Sequence, residues 1–376
     1  MDLTRVKALA KKEFIHVMRD PRSLWMAIAI PLLLLFLFGF ALTLDVDNVP
    51  LAVWDQDRTN VSRDFLLNFH NSPYFKVSGY FNNYRALESQ LDRGCAFMAL
   101  VIDKDFSKSR KTSGAIPIQL LVDGSDSNTA TIAIGYAESV ILSENKKIVA
   151  ERMAASGLRY ADPVDLRARV WFNPDLKSKN YIIPGLVAMI MMVIAGLLTS
   201  LTIAKEWENG TMEQLISTPI TPLELIFGKF TPYFFIGMLD VLISVLMGEF
   251  VFDVPFRGNI ISLFALSALF LTGALFMGIF ISIAVKNQFI ASQIALLITI
   301  LPTFLLSGFA FPIANMPIPI QVITYFIPAK YFITILRGLY LKGTGLGVLY
   351  PEACCLVLFA LVMVLLSVSK FRKKAA

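Results

Sequence analysis

The stretch Tyr181-Ile-Ile-Pro-Gly-Leu-Val-Ala-Met-Ile-Met-Met-Val-Ile-Ala-Gly-Leu-Leu-Thr-Ser-Leu-Thr-Ile203 holds 23 residues and no charged side chain. A helix needs about 20 predominantly apolar residues to cross roughly 30 Å of hydrocarbon, so this run is long enough to span a bilayer. Five more apolar runs of similar length lie at 24–44, 226–249, 260–285, 289–308 and 349–368. Over the whole chain 56% of residues are hydrophobic and 16% charged. Soluble domains carry about 25% charged residues, and here the apolar excess is concentrated in blocks. The pattern predicts an α-helical integral membrane protein with six spans.

Charge sets the orientation. Residues 45–179 hold 17 basic and 17 acidic residues, so the net charge of +6 does not come from there. Arg5, Lys7, Lys11, Lys12, Arg19 and Arg22 open the chain, and Lys370, Arg372, Lys373 and Lys374 close it. An even number of spans puts both termini on one side, and flanking cations mark that side as cytoplasmic. No basic stripe with interleaved aromatics suggests nucleic acid. The run at 24–44 is too long for a signal peptide and lacks a small-residue cleavage site before Asp45, so it is expected to be retained.

Residues 1–22 predict an amphipathic interfacial helix. Leu3, Val6, Ala10, Phe14 and Val17 fall on one face, with Arg5, Lys11, Lys12 and Arg19 off it. Residues 45–180 predict an external α+β domain, with strands at 50–55, 96–102 and 116–122 and helices at 65–69 and 129–153. Residues 181–376 hold the other five spans. Within them, 309–350 combines apolar character with Pro312, Pro317, Pro319 and Pro328 and with Lys330, Arg337 and Lys342. Short broken helices at the outer leaflet suit that composition better than a full span.

The polar segment 204–229, between the second and third spans, is the most informative. Gly210-Thr211 predicts a helix end followed by a helix start with Thr211 as N-cap, and Glu213 in the new first turn suits the helix dipole. Thr218-Pro-Ile-Thr-Pro222 breaks the chain again. The expectation is a short exposed helix able to pass force from a cytoplasmic partner into the membrane. Asp240, near the middle of the third span, is expensive there. It is either a pathway residue for a cationic substrate or a group that titrates during transport, or else a hydrogen-bonded packing residue. Met189, Met191 and Met192 read as adaptable packing or a permissive substrate surface. His16 and His70 are isolated from each other and from any cysteine pair, so no metal site is expected. Cys95 is alone in its domain, Cys354 and Cys355 fall in an apolar run, and Gly343-Thr-Gly-Leu-Gly347 lacks the Lys-Ser/Thr of a phosphate loop.

Glu206-x-Glu208-x-Gly210-Thr211, then Glu213, Leu215, Thr218-Pro219, Glu224 and Gly228-Lys229, closely resembles the coupling segment of type-2 ABC exporter permeases. Trp54-Asp-Gln-Asp-Arg58 and Val122-Asp-Gly-Ser-Asp126 resemble the external domain of that family's multidrug-exporter branch. Ser307-Gly308-x-x-Phe311-Pro312, with Pro328 and Arg337-Gly338, resembles its outer re-entrant region. The resemblance implies a permease dimer, of identical or paralogous chains, in a bacterial inner membrane. ATP and Mg would be bound by separate cytoplasmic ATPase subunits, with a periplasmic membrane-fusion adaptor and an outer-membrane channel completing the route. No catalytic residue or cofactor is expected on this chain. Lys205, Glu206, Glu208, Gly210, Thr211, Glu213, Thr218 and Pro219 are then assigned to ATPase coupling, and Asp240, Met191, Ser307 and Gly308 to a candidate substrate pathway. Rival readings are a lipid, glycan or peptide exporter, and a mechanotransmission protein with no substrate passage. A membrane enzyme is disfavoured by the lack of any acid/base or metal cluster.

Overall fold

A computed structural model describes residues 2–21, 25–41, 46–112, 116–155, 171–174 and 177–371. The ends of the first expected span, residues 113–115, most of 156–176 and the basic tail Arg372, Lys373 and Lys374 lie outside the described residues. Contacts divide the chain into two units, 44–168 and the remainder.

In the larger unit, helix α1 (Leu3–Arg19) starts at Asp2, whose carboxylate accepts from the Thr4 N–H at 2.9 Å. A π-helical turn, Trp25–Ala29, leads into α2 (Ile30–Ala41). Then follow α7 (Ser178–Glu208), α8 (Thr211–Ser217), α9 (Pro222–Phe250), α10 (Ile260–Val285), α11 (Gln288–Leu306), α12 (Ile318–Thr324), α13 (Pro328–Arg337) and α14 (Leu346–Lys370), with α3 to α6 in the other unit. Five of these, α7, α9, α10, α11 and α14, are long and apolar enough to cross a membrane. Of the first expected span, 24–44, the described residues 25–41 are helical throughout, a π-helical turn followed by α2.

Helix α7 is the axle of this unit. Its apolar stretch is almost wholly buried, with α2, α9, α10, α11 and α13 packed around it. The apolar stretches of α11 and α14 are mostly exposed, which suits helices bathed in hydrocarbon. Hydroxyls bond across the helices: Thr199 Oγ1 donates to Leu275 O at 2.9 Å, Ser282 Oγ accepts from Ala204 N–H at 2.8 Å, and Ser367 Oγ donates to Phe276 O at 3.0 Å. Between α11 and α14 the chain breaks into a 3₁₀ turn (Ile313–Asn315), α12, α13 and a π turn (Gly338–Lys342), with an 82° bend between Ile318–Thr324 and Pro328–Lys342. Arg337 ties this region down: its Nη1 donates to Gly308 O at 3.1 Å, and its guanidinium lies 3.5 Å over the Tyr181 ring.

The smaller unit alternates strands and helices: β1 (Val49–Asp55), α3 (Asn60–His70), β2 (Phe75–Tyr80), α4 (Tyr84–Asp92), β3 (Met98–Ile102), α5 (Phe106–Lys111), β4 (Ile118–Val122) and α6 (Ser127–Ala155). The sheet order is β2-β1-β3-β4, with β1 parallel to β2 and β3, and β4 antiparallel to β3. Side chains alternate across it. Leu51, Val53, Met98 and Leu100 pack with Phe65 and Phe69 on one face, while Ala52, Ala99 and Val101 pack with Leu87 on the other. The sequence reading passes over β2, α4 and α5. Edge strand β2 has Lys76, Ser78 and Gly79 in place of an apolar run, and both helices are short.

The Trp54-Asp-Gln-Asp-Arg58 signature has a local physical role. Asp55 Oδ1 accepts from the Asp57 and Arg58 N–H groups, both at 3.0 Å, and its Oδ2 accepts from Ser62 Oγ at 2.7 Å, closing the turn into α3. Asp55→Ala leaves these donors without their acceptor and is expected to cost about 1–3 kcal/mol. Urea-dependent proteolysis of 44–168 in the purified protein should show the earlier transition.

Candidate functional site

Helix α7 ends at Glu208 with Asn209 as its C-cap, and the next residue, Gly210, has a φ of 70°, in the left-handed region that a glycine enters without cost. This sharp stop lets α8 start one residue later and fold back. Thr211 is the first residue of α8 and not its N-cap, because Gly210 already occupies the cap position. The Thr211 hydroxyl instead turns back and donates to the Glu206 carboxylate. Glu213 stands exposed in the first turn of α8. The expectation of an exposed helix holds for one face only: Met212 is fully buried against Ile203, Leu225 and Ile226. Thr218 Oγ1 closes α8 by donating to Leu215 O at 2.6 Å. Thr221 and Glu224 then form a capping box that starts α9.

The two glutamates of Glu206-x-Glu208 face different neighbours. Glu208 holds the start of α11, accepting from Gln288 N–H at 2.9 Å and Gln288 Nε2 at 2.6 Å. Glu206 faces Lys229, a lysine with only 1% of its side chain exposed. Lys229 Nζ lies 2.8 Å from Glu13 Oε1 and 2.9 Å from Glu206 Oε1, and donates to Thr202 O at 3.4 Å. One ammonium thereby joins α1, α7 and α9. Its three donors are all used, which such a buried cation requires. Lys12 adds a longer, solvent-exposed contact to Glu206 at 3.5 Å.

Outside this core, a ring of weaker contacts holds α1 in place. Lys205 Nζ lies 3.1 Å from His16 Nε2 and 3.8 Å from Asp20. Arg5 donates to the Pro219 carbonyl, and the Asp2 N–H donates to Glu224 Oε1 at 2.6 Å. The Thr4 hydroxyl and N–H hold the Asp2 carboxyl below its usual range. Gly228 allows the close approach of α1 and α9: a Cβ there would sit 2.6 Å from Leu9 Cβ.

Glu13, His16, Asp20, Arg5 and Lys229 were not among the sequence-assigned coupling residues. The face assigned to α1 is rotated from the buried one. Leu9, Glu13 and Val17 are buried, while Leu3 is 76% and Phe14 45% exposed. The available signal was the i, i+4, i+8 spacing of Leu9, Glu13 and Val17, which puts a carboxylate into an apolar stripe and calls for a buried cation elsewhere.

Asp240 and Met191 line one small cavity of about 10 Å³, with Ile190, Ile194, Tyr233 and Leu271. That is room for about one water molecule. Among the described residues no hydrogen bond or ion pair reaches Asp240, which is 7% exposed. Tyr233 and Leu198 also border a larger polar cavity of about 430 Å³ that contains Glu13, Glu206 and Lys229. Ser307 and Gly308 lie elsewhere, at the far end of α11, where Gly308 O accepts from Tyr181 Oη at 3.1 Å and from Arg337. Among the described residues no group of three His, Cys, Asp or Glu side chains is placed to hold a metal ion.

Gly228→Val is expected to force α1 away from α9 and destabilise their contact by about 1–3 kcal/mol. A disulfide trap between cysteines introduced on the two helices should lose yield in that background.

Comparison with known proteins fits this geometry. The family model for ABC-2 family transporter proteins matches residues 21–369. The chain is 39% identical to the probable multidrug ABC transporter permease YbhS of Escherichia coli (strain K12), across 98% of this chain and 97% of that protein. It is 27% identical to the probable multidrug ABC transporter permease YbhR of the same strain, across 98% and 99%. It is 28% identical to the inner membrane transport permease YhhJ, also of that strain, across 86% and 85%. With its long apolar helices, the chain belongs to the ABC-2 family and is the permease component of an ABC transporter.

Proposed function

We propose that this permease exports drug-like or amphiphilic molecules from the cytoplasm or inner membrane, driven by ATP and Mg bound on separate ATPase subunits. The observation that carries this reading is the Lys229 junction. Helix α8 presents Glu213 and Gln214 to solvent on one side, while the adjoining ends of α7 and α9 are joined to α1 through one buried ammonium. A push on α8 therefore meets the ends of two long apolar helices and the amphipathic helix together, not a loose loop. The multidrug wording in the names of YbhS and YbhR supports the substrate class, and the inner-membrane wording in YhhJ's name supports the location.

Six spans complete the proposed topology, counting the stretch that includes Trp25–Ala41, with both termini cytoplasmic and 44–168 outside. A second permease copy or paralogue forms the other half of the pathway. A membrane-fusion adaptor and outer-membrane channel receive the substrate beyond it. The exposed apolar side chains Phe14, Ile15 and Met18 on α1 support contact with the lipid interface. Asp240 and Met191 are the proposed pathway residues, since an unpaired carboxylate beside a thioether and Tyr233 suits a hydrophobic cation. Ser307 and Gly308, held by Tyr181 and Arg337, act at its outer end.

Two outcomes follow. Gly210→Val places a β-branched residue at positive φ, a strain of about 1–3 kcal/mol. It should preserve membrane insertion and ATP hydrolysis by the co-purified complex while abolishing export; unchanged export contradicts the coupling role. Asp240→Asn should reduce efflux of cationic dyes from everted vesicles at least about tenfold while sparing neutral ones, the scale of one lost charge-assisted contact. Equal efflux of both dye types removes the electrostatic role.

A further inference from the structure

A cavity of about 700 Å³ lies where residues from the ends of α7, α8, α10 and α14 come together. Its walls include Trp207, Ile216, Ile283 and Phe371, and its charged groups are Lys286 and Lys370. Among the described residues no carboxylate lines it or lies within ion-pair distance of either lysine. The Lys286 ammonium instead rests 4.1 Å over the Trp207 ring. Lys286 directly follows α10, and Lys370 is the last residue of α14. Both helices are long apolar segments with mean hydropathy 2.4 over their best windows. With α10 and α14 as spans in the topology proposed above, the cavity lies at the ends where they leave the hydrocarbon.

We propose that this cavity binds an anionic phospholipid. The lipid phosphate lies against Lys286 and Lys370, and the first acyl carbons lie against Trp207, Ile216, Ile283 and Phe371. The chemistry favours this ligand on two counts. Two exposed cations with no carboxylate beside them among the described residues attract an anion at a low-dielectric boundary. Apolar walls and an interfacial tryptophan suit the glycerol and upper acyl region, and a water-soluble anion has no use for them. The partial negative charge at the carboxyl ends of α10 and α14 tempers the attraction without reversing it, since each end carries about half a charge against a full one. Because Ile216 belongs to α8, the bound lipid packs against the coupling helix from behind and supports it.

The test uses the purified full-length permease. Dioleoylphosphatidylglycerol or dioleoylphosphatidylcholine is added in detergent, and retained lipid is counted by native mass spectrometry. Phosphatidylglycerol should be retained in preference to phosphatidylcholine. Lys286→Gln and Lys370→Gln should each weaken its retention about fivefold. A double variant on the 44–168 unit, K76Q/K104Q, removes the same charge far from the cavity and should retain lipid like the parent. Brominated phosphatidylglycerol should quench part of the tryptophan emission, and W207F should remove that part. Equal retention of phosphatidylcholine, or undiminished phosphatidylglycerol in K286Q/K370Q, overturns the proposal. Displacement of the lipid by inorganic phosphate also overturns it, by assigning the cavity to a free anion.

Discussion

A fully buried lysine is a constraint before it is a contact. Taking an ammonium out of water costs several kcal/mol, and only close carboxylates with well-used donors make the position tolerable. Lys229 meets that demand with Glu13 from α1 and Glu206 from α7 while standing on α9 itself. Three segments far apart in sequence therefore have to stay together. Each neighbouring feature serves that arrangement: Gly228 lets α1 come close, Thr211 holds the second oxygen of Glu206, and Gly210 turns the chain so that Thr211 can reach it.

The same logic explains why the segment 204–229 is not a solvated acidic loop. Of its acidic residues, Glu206 is ion-paired, Glu208 caps α11, Glu224 caps α9 and receives the Asp2 N–H, and Glu213 faces solvent. Only Glu213 is left free to meet another protein. At the far end of α7, Arg337 does comparable work by joining the Gly308 turn and Tyr181. Helix α7 is thus anchored by polar clusters at both ends, with an apolar shaft between them. Asp240, on neighbouring α9, faces that shaft as a carboxylate with no partner among the described residues.

Much of the membrane architecture was legible because hydrocarbon thickness dictates helix length. The run 260–285 coincides with α10, the runs 181–203, 226–249 and 349–368 stop short of their helices mainly at the polar ends, where apolarity no longer marks helix, and the run 289–308 passes the end of α11 by two residues. The break after α11 was also legible, because proline removes backbone donors that lipid cannot replace. The elements that escaped were those whose fold depends on distant partners. Strand β2 is an edge strand with a polar composition, shaped by pairing with β1. The burial of Glu13 and Lys229 depends on a contact across 216 positions in sequence. The motif marks Gly228-Lys229, but the burial of that lysine shows only once the carboxylates facing it are placed.

The central claim is that Glu13, Lys229 and Glu206 act as one unit joining α1, α7 and α9. A thermal double-mutant cycle on the purified permease with Lys229→Met, Glu206→Gln and Glu13→Gln tests it most directly. The account predicts that Lys229→Met alone costs about 3–5 kcal/mol, because two buried carboxylates lose their cation. Neutralising both glutamates in that background should recover a large share, giving a coupling of at least about 1 kcal/mol. Additivity of the three changes within about 0.5 kcal/mol would contradict the account.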